Sequence, residues 1–260
     1  DVEIPEPDNL YDQPAAGFGS PSTRGHNDEM INTIGASVSK RNNQWGLGQR
    51  VGIDESIPEP EYTSVVYQTY LKRYLRCVKG VDDNVNRLVD YLKEEGIYDN
   101  TLIIYTGDQG FFLGEHDFFD KRWMYEEGMR MPFIVRYPKT VEEGSQSDLL
   151  INNTDFAPTL IEFAGGFVPD FMQGDSFAET LLGEEQHGWR DATYYRYWMH
   201  MAHHDNPGHV GIRTKEHKLI YYYGADYKGG NRTPPAWERY DLIKDRFETV
   251  NQYHNPEYAA

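Results

Sequence analysis

The apolar positions of this chain change their period along its length, and each period predicts a different element. From residue 61 onward Tyr67, Tyr70, Tyr74, Val78, Val81, Val85, Leu88 and Leu92 recur at steps of three and four, which places them on one stripe of an amphipathic helix. Glu94-Glu95-Gly96 ends that pattern, with Gly96 able to adopt the left-handed closing conformation. After Asp99-Asn100 the run Thr101-Leu102-Ile103-Ile104-Tyr105-Thr106 is compact and rich in β-branched residues, and a second such run follows at Met131-Pro132-Phe133-Ile134-Val135-Arg136-Tyr137. Both read as strands buried on two faces. A further helix is predicted over about 154–165, opened by Thr154-Asp155 and Pro158. Helices alternating with buried strands imply an α/β fold with a mainly parallel sheet flanked by helices.

Before residue 61 the texture is irregular, with clusters such as Gly17-Phe18-Gly19-Ser20-Pro21 and Arg41-Asn42-Asn43-Gln44. Beyond about 185 it becomes tyrosine-rich: Thr193 to Trp198, Lys218 to Tyr223 and Trp237 to Leu242 are short runs separated by Gly, Pro and Asn. These predict an antiparallel sheet in a smaller α+β subdomain. The expected division is 1–170 for the α/β part, with 1–60 mostly irregular, and 171–260 for the C-terminal subdomain. The Tyr-rich stripes are expected to be core.

Composition narrows the partners. Over 260 residues, 25 Lys+Arg face 42 Asp+Glu, a formal charge of −17, so a nucleic-acid or anionic-membrane surface is disfavoured and a bound cation is easier to accommodate. No apolar run approaches the ~20 residues needed to cross a bilayer. The single cysteine, Cys77, excludes an intrachain disulfide and a cysteine-rich metal site, and is expected to be a small core residue. The chain opens on Asp1 and the acidic, Pro-rich Glu3-Ile4-Pro5-Glu6-Pro7, which reads as the middle of something longer.

The chemistry concentrates after the first strand. In open α/β sheets functional groups sit on loops at the carboxyl ends of strands, and that loop is Thr106-Gly107-Asp108-Gln109-Gly110 continuing through Leu113-Gly114-Glu115-His116 to Lys121. The glycines allow sharp turns that set a carboxylate, Asp108, beside an amide carbonyl, Gln109: hard oxygens suited to Ca²⁺ or Mg²⁺. His116 is a candidate proton carrier, and Lys121 a point charge for an anionic oxygen. A polar, solvated loop is an equally good reading of the spacing alone.

These residues, with Met129-Arg130-Met131-Pro132-Phe133-Ile134-Val135, closely resemble the distal half of the type I, formylglycine-dependent sulfatases of the alkaline phosphatase superfamily. Val81-Asp82-Asp83-Asn84-Val85, Asn153-Thr154-Asp155-Phe156-Ala157-Pro158, Gly211-Ile212-Arg213-Thr214 and Glu238-Arg239-Tyr240-Asp241-Leu242 extend the likeness over roughly 60–260. The resemblance implies that Asp108 binds the divalent cation, usually Ca²⁺, that Gln109 occupies the adjacent ligand position, where the family more often has Asn or His, that Lys121 contacts sulfate oxygens, and that His116 lies on the substrate side. It implies a sulfuric ester hydrolase for a sulfated carbohydrate or related ester, periplasmic or secreted. Phosphomonoester, phosphodiester or phosphonate hydrolysis, and a noncatalytic binding module, are the alternatives. The family's Cys/Ser-x-Pro-x-Arg nucleophile motif is absent: in Ser20-Pro21-Ser22-Thr23-Arg24 the proline follows serine directly, and Cys77 lies in Arg76-Cys77-Val78-Lys79-Gly80. The formylglycine and further acidic ligands are therefore expected upstream, in a missing N-terminal portion of the same enzyme. His200, His203, His204 and His209 cluster, but Asn206-Pro207-Gly208 interrupts them and no carboxylate pattern completes a zinc site. The resemblance makes His200, His204, His209 and Arg213 candidates for substrate recognition at the pocket mouth, alongside a packing role.

Overall fold

The computed structural model describes residues 3–8, 10, 36–40, 46–226, 228–229 and 232–258. The cluster at 17–21, the Ser20–Arg24 segment and all of 41–45 lie outside them. The chain divides into two compact units: a larger one of Asp1–Val78, Gly110–Arg130 and Tyr194–Ala260, and a smaller one of Lys79–Gln109 and Met131–Thr193. This grouping joins the tyrosine-rich C-terminal segment to the N-terminal residues and to the middle of the Lys121 loop, where the sequence suggested a single cut near 170.

In the larger unit a short helix, α1 (Leu47–Val51), precedes α2 (Glu61–Glu94), which begins there and continues into the smaller unit. The three- and four-residue stripe sets its length, and Gly96, at φ 69°, closes it as expected. The first turns of α2 bury Tyr62, Val66, Tyr67 and Leu71 against Leu10, Val38, Leu47 and Phe119. The hairpin of β2 (Phe112–Leu113) and β3 (Phe119–Asp120) follows, then the single-turn helix α3 (Glu126–Met129). The C-terminal sheet, in the order β5 (Ala192–Tyr197), β6 (His209–Thr214), β7 (His217–Tyr222) and β8 (Ala236–Asp241), supplies the second core. The antiparallel β6–β7 and β7–β8 ladders match the expected subdomain, and alternation puts Lys218, Ile220 and Tyr222 on the buried face of β7. Ile220, Tyr222 and Tyr240 pack on Phe112, Phe118, Trp123 and Tyr125. Tyrosine there is core, as predicted.

The smaller unit holds β1 (Ile103–Thr106) and β4 (Phe133–Arg136), which pair with each other antiparallel. The sequence pattern suggested parallel neighbours. The segment between β1 and β4 is long enough for a crossover, but it carries the β2–β3 hairpin and single helical turns in place of a packed crossover helix. Nor are the strands covered on both faces: Tyr105 and Ile134, directly opposite in the ladder, are exposed. The second predicted helix is α4 (Phe156–Phe163), entered through a tight turn, Asn153–Asp155, with a reciprocal Asn152/Asp155 capping box. Asp155, fully buried, accepts from the backbone of Asn152 at 2.6 Å and Asp175 at 2.9 Å, and from Arg190. Phe133 packs against Phe156 and Phe177, and α5 (Ala178–Leu181) completes this layer.

Cys77 is exposed, contrary to the expected core position. It lies on the stretch of α2 where Leu75, Val78, Val81, Val85 and Leu88 are exposed as well, so nothing in the described residues covers that part of the helix.

Candidate active site

The loop after β1 is shared between the units: Asp108 and Gln109 end a segment of the smaller one, while Gly110 to Lys121 belong to the larger. In the smaller unit the Asp108 side chain is exposed and Gln109 half-buried. Asn153 donates its amide to the Asp108 main-chain oxygen at 3.0 Å, which ties the turn to the start of α4. No protein hydrogen bond to the Asp108 carboxylate occurs among the described residues. Two adjacent hard-oxygen groups on an anchored turn fit two ligands of a divalent cation. No group of three or more His, Cys, Asp or Glu side chains that could hold a metal ion occurs among the described residues.

In the larger unit the loop is held by backbone geometry. The Gly110 amide donates to Gly128 O at 3.1 Å, and a Cβ on Gly110 would lie 2.1 Å from Glu127 O and 2.7 Å from Arg130 O. Only glycine permits that approach. At the hairpin tip His116 and Asp117 adopt φ of 57° and 62°, conformations that cost L-residues energy. Offsetting this, the Asp117 carboxylate accepts from the Ser39 amide at 2.7 Å and hydroxyl at 2.6 Å.

The turn rotates His116 inward. Its ring is fully buried, 6.3 Å from Phe112 and 5.2 Å from Tyr125, and Nε2 lies 3.7 Å from Glu127 Oε2. Burial, with Lys218 adding repulsion, pulls its pKa down to about 3. The enclosed imidazole packs between Phe112 and Tyr125, and these contacts hold the hairpin.

Lys121 is exposed. Its neighbours form a charged cluster: Arg122 pairs with Asp120, and His204 Nδ1 lies 3.4 Å from Asp120 Oδ2. Burial pushes the Asp120 carboxyl up, but hydrogen bonds from His204 and Arg122 outweigh it and hold the pKa at about 2. Of the four rim candidates, His204 alone stands in this cluster beside Lys121. The fully buried His209 ring is 6.2 Å from Trp123 and 5.2 Å from Tyr222, and burial lowers its pKa to about 4. His200, also buried, accepts from the Gly208 amide at 2.9 Å. Arg213 grips Glu126 with two hydrogen bonds, 3.2 and 2.9 Å. These three have the packing contacts that the sequence offered as their alternative role.

Sequence reasoning missed the buried charges behind the Lys121 segment. Lys218, fully buried, reaches Glu126 at 3.0 Å and Glu248 at 2.6 Å, and the Glu126 amide donates to Glu248 at 2.7 Å. Burial raises the Glu126 carboxyl, yet Lys218 and Arg213 prevail and bring it to about 2. For Glu248 burial outweighs its share of the same lysine, giving about 7. Glu238 accepts from Tyr125, Tyr240 and Tyr222 at 2.8, 3.0 and 3.2 Å, but its burial still raises it to about 8. The legible signal was Lys218 and Glu238 at every-second positions shared with Ile220, Tyr222 and Tyr240.

Comparison with known proteins fixes the family. The sulfatase family model matches residues 8–166, and the model for the C-terminal part of N-sulphoglucosamine sulphohydrolase matches 114–260. An N-acetylglucosamine-6-O-sulfatase of Bacteroides thetaiotaomicron is 47% identical over 195 residues, covering 74% of this chain and 34% of that protein. A solved structure in complex with its substrate, D-glucosamine-2-N,6-O-disulfate, aligns with a TM-score of 0.81 and 34% identity, over 99% of this chain and 57% of the other. A phosphonate monoester hydrolase from Silicibacter pomeroyi, at 24% identity and a TM-score of 0.63 over 80% of this chain and 42% of the other, shares the fold. The chain thus spans between a third and three fifths of the length of these proteins. It belongs to the sulfatase family, with the alkaline-phosphatase-like α/β fold, and represents the C-terminal portion of that fold.

Proposed function

We propose that this chain is the distal portion of a sulfuric ester hydrolase that removes the 6-O-sulfate of a glucosamine-type sugar, working with an N-terminal portion of the same enzyme that carries the formylglycine nucleophile. The observation that carries this reading is that the sulfatase match spans Asp108, Gln109 and Lys121 together, while two relatives that the chain resembles at 47% and 34% identity are named for 6-O-sulfated glucosamines. Asp108 and Gln109 would hold the divalent cation, Ca²⁺ by family preference, whose chemistry is to neutralise charge developing on sulfuryl oxygens. Lys121, exposed on a braced loop, is the proposed fixed positive charge for a sulfate oxygen. His204, in its cluster with Asp120 and Arg122, offers polar groups to the sugar. Enclosed His116 keeps the hairpin in place. Periplasmic or secreted residence belongs to this proposal; no helix among the described residues is long and apolar enough to cross a membrane.

The test is sulfate release from N-acetylglucosamine 6-sulfate by the longer protein. Asp108→Ala and Lys121→Ala should each lower kcat/KM by ~100-fold or more, with Ca²⁺ binding lost in the first and kept in the second. Full activity in both, or faster turnover of an aryl phosphate than an aryl sulfate, overturns the reading.

A further inference from the structure

Asp108 and Gln109 are joined by one peptide, and that peptide is held from outside the strand that delivers it. The Asn153 side-chain amide donates to the Asp108 main-chain oxygen at 3.0 Å, across 45 residues of sequence. A peptide unit is planar, so fixing its oxygen fixes the direction in which the backbone enters Gln109 and leaves Asp108. Gly107, just before the pair, has no side chain to restrict the turn, and Asp108 is exposed. Local forces alone would leave the carboxylate and the amide at many mutual angles.

Asn153 is itself held firmly. It opens the tight turn Asn153–Asp155, between the two residues of the Asn152/Asp155 capping box. The fully buried Asp155 carboxylate accepts from the Asn152 amide at 2.6 Å, from the Asp175 amide at 2.9 Å and from the Arg190 guanidinium. Arg190 also donates to the Leu150 oxygen at 3.2 Å and to the Asp175 carboxylate at 2.6 Å. The residues on both sides of Asn153 are thus tied to two further segments of the smaller unit, and its hydrogen bond to Asp108 carries the rigidity of this buried hub to the turn.

We infer, on the reading of Asp108 and Gln109 as ligands of the divalent cation, that Asn153 is a positioning residue: it sets the peptide between them so that carboxylate and amide oxygen are aimed together at one ion. Groups that orient metal ligands typically change metal affinity by about 10- to 100-fold when they are removed. The same bond adds little to folding, because it joins two exposed residues, where substitutions stay within about 0.5 kcal/mol. Its effect therefore falls on the ion.

The experiment titrates Ca²⁺ by calorimetry into the longer protein, comparing the parent with Asn153→Ala, Thr154→Ala and Asp108→Ala. Asn153→Ala should weaken Ca²⁺ binding by about tenfold or more, with the metal-free unfolding midpoint unchanged. Thr154→Ala, at the next exposed position of the same turn, should bind as the parent does. Sulfate release by Asn153→Ala should return toward the parent rate when Ca²⁺ is raised far above its weakened Kd, whereas Asp108→Ala should stay inactive. Unchanged Ca²⁺ affinity in Asn153→Ala overturns the inference, as does an equal loss in Thr154→Ala or a loss of activity that excess Ca²⁺ does not restore. If Asp108→Ala binds Ca²⁺ as the parent does, the ligand assignment falls and takes the positioning role with it. If Asn153→Ala weakens Ca²⁺ binding while the parent releases no sulfate, only the proposed substrate is lost.

Discussion

The two compact units handle their apolar residues in opposite ways. The larger encloses two aromatic-rich clusters, with Trp123, Tyr125, Phe112, Phe118, Tyr222 and Tyr240 all within 2% of complete burial. The smaller, although it contains nearly half of one long helix and a β-ladder, buries only Leu92, Pro158, Phe177, Ala178 and Leu181 among its apolar side chains. What holds it together is polar: Asp155 gathering Arg190 and backbone amides, Trp189 donating to Leu150 O at 2.9 Å, and Arg136 donating to Tyr98 O at 2.9 Å. Segments with few buried apolar contacts sit at the low end of local stability. The lesson is that amphipathic patterning and actual burial are separate facts, and here they coincide in one unit only.

The comparison is broken most directly by truncating a central ring. Trp123 is stacked on Phe118 at a centroid distance of 4.9 Å, and Trp123→Ala should cost about 3–5 kcal/mol, measured as a lowered urea midpoint. A loss under about 1 kcal/mol would mean that the larger unit is loosely packed after all.

Next is the buried lysine. Lys218→Met leaves Glu126 and Glu248 facing each other, one without its cation, and removing one partner of a buried pair costs about 3 kcal/mol or more. Adding Glu248→Gln should recover part of that loss, because it removes one of the stranded carboxyls. If the single and double variants are equally unstable, the charges act independently and the network reading fails.

This network also shows how far the sequence could be read. The α2 stripe placed the helix start at about 61, and the Gly96 stop lies within two residues of its end, because period and capping are local properties. The strands after 190 were legible for the same reason. Cover is not local: the stripe that buries Tyr67 is the same one that exposes Val81 and Leu88. Asp108 and Lys121 stood out because glycines and charges crowd one loop, but the inward turn of His116 depends on a positive φ that Glu115-His116-Asp117 does not advertise. Lys218 was concealed by alternation, since strand register alone decides which face a charge enters.

A smaller effect is expected from pH. Burial raises Glu127 to about 8, with Glu248 adding repulsion, and raises Glu238 to about 8 and Glu248 itself to about 7. These groups keep their protons when folded but release them near the ordinary carboxylate value, about 4.3, when unfolded. Stability is therefore fullest near or below that value and falls as pH rises toward 8. Asp120 and Glu126, at about 2, work in the other direction, their contribution being lost as pH drops from about 4 toward 2. His116 and His209, lowered by burial to about 3 and 4, oppose the decline with rising pH below about pH 6.5, the ordinary histidine value, so urea midpoints should drop most steeply between about pH 6.5 and 8. Glu127→Gln should flatten that decline; a midpoint that climbs from pH 5 to 8 contradicts the assignment.

The smallest effect is also the sharpest test of the contrast. Leu88 is 54% exposed on α2, and Gln has nearly the same helix propensity as Leu. Leu88→Gln should therefore alter the unfolding free energy of this chain by no more than about 0.5 kcal/mol, the range typical of surface positions. Set against the loss from Trp123→Ala, that near-silence would show that the same kind of apolar residue has an energetic role in one unit and none in the other. A cost above about 1.5 kcal/mol would instead require that Leu88 be packed in solution, because truncating an exposed side chain leaves no cavity. The stripe would then already be covered, and the contrast between the units would fall with it.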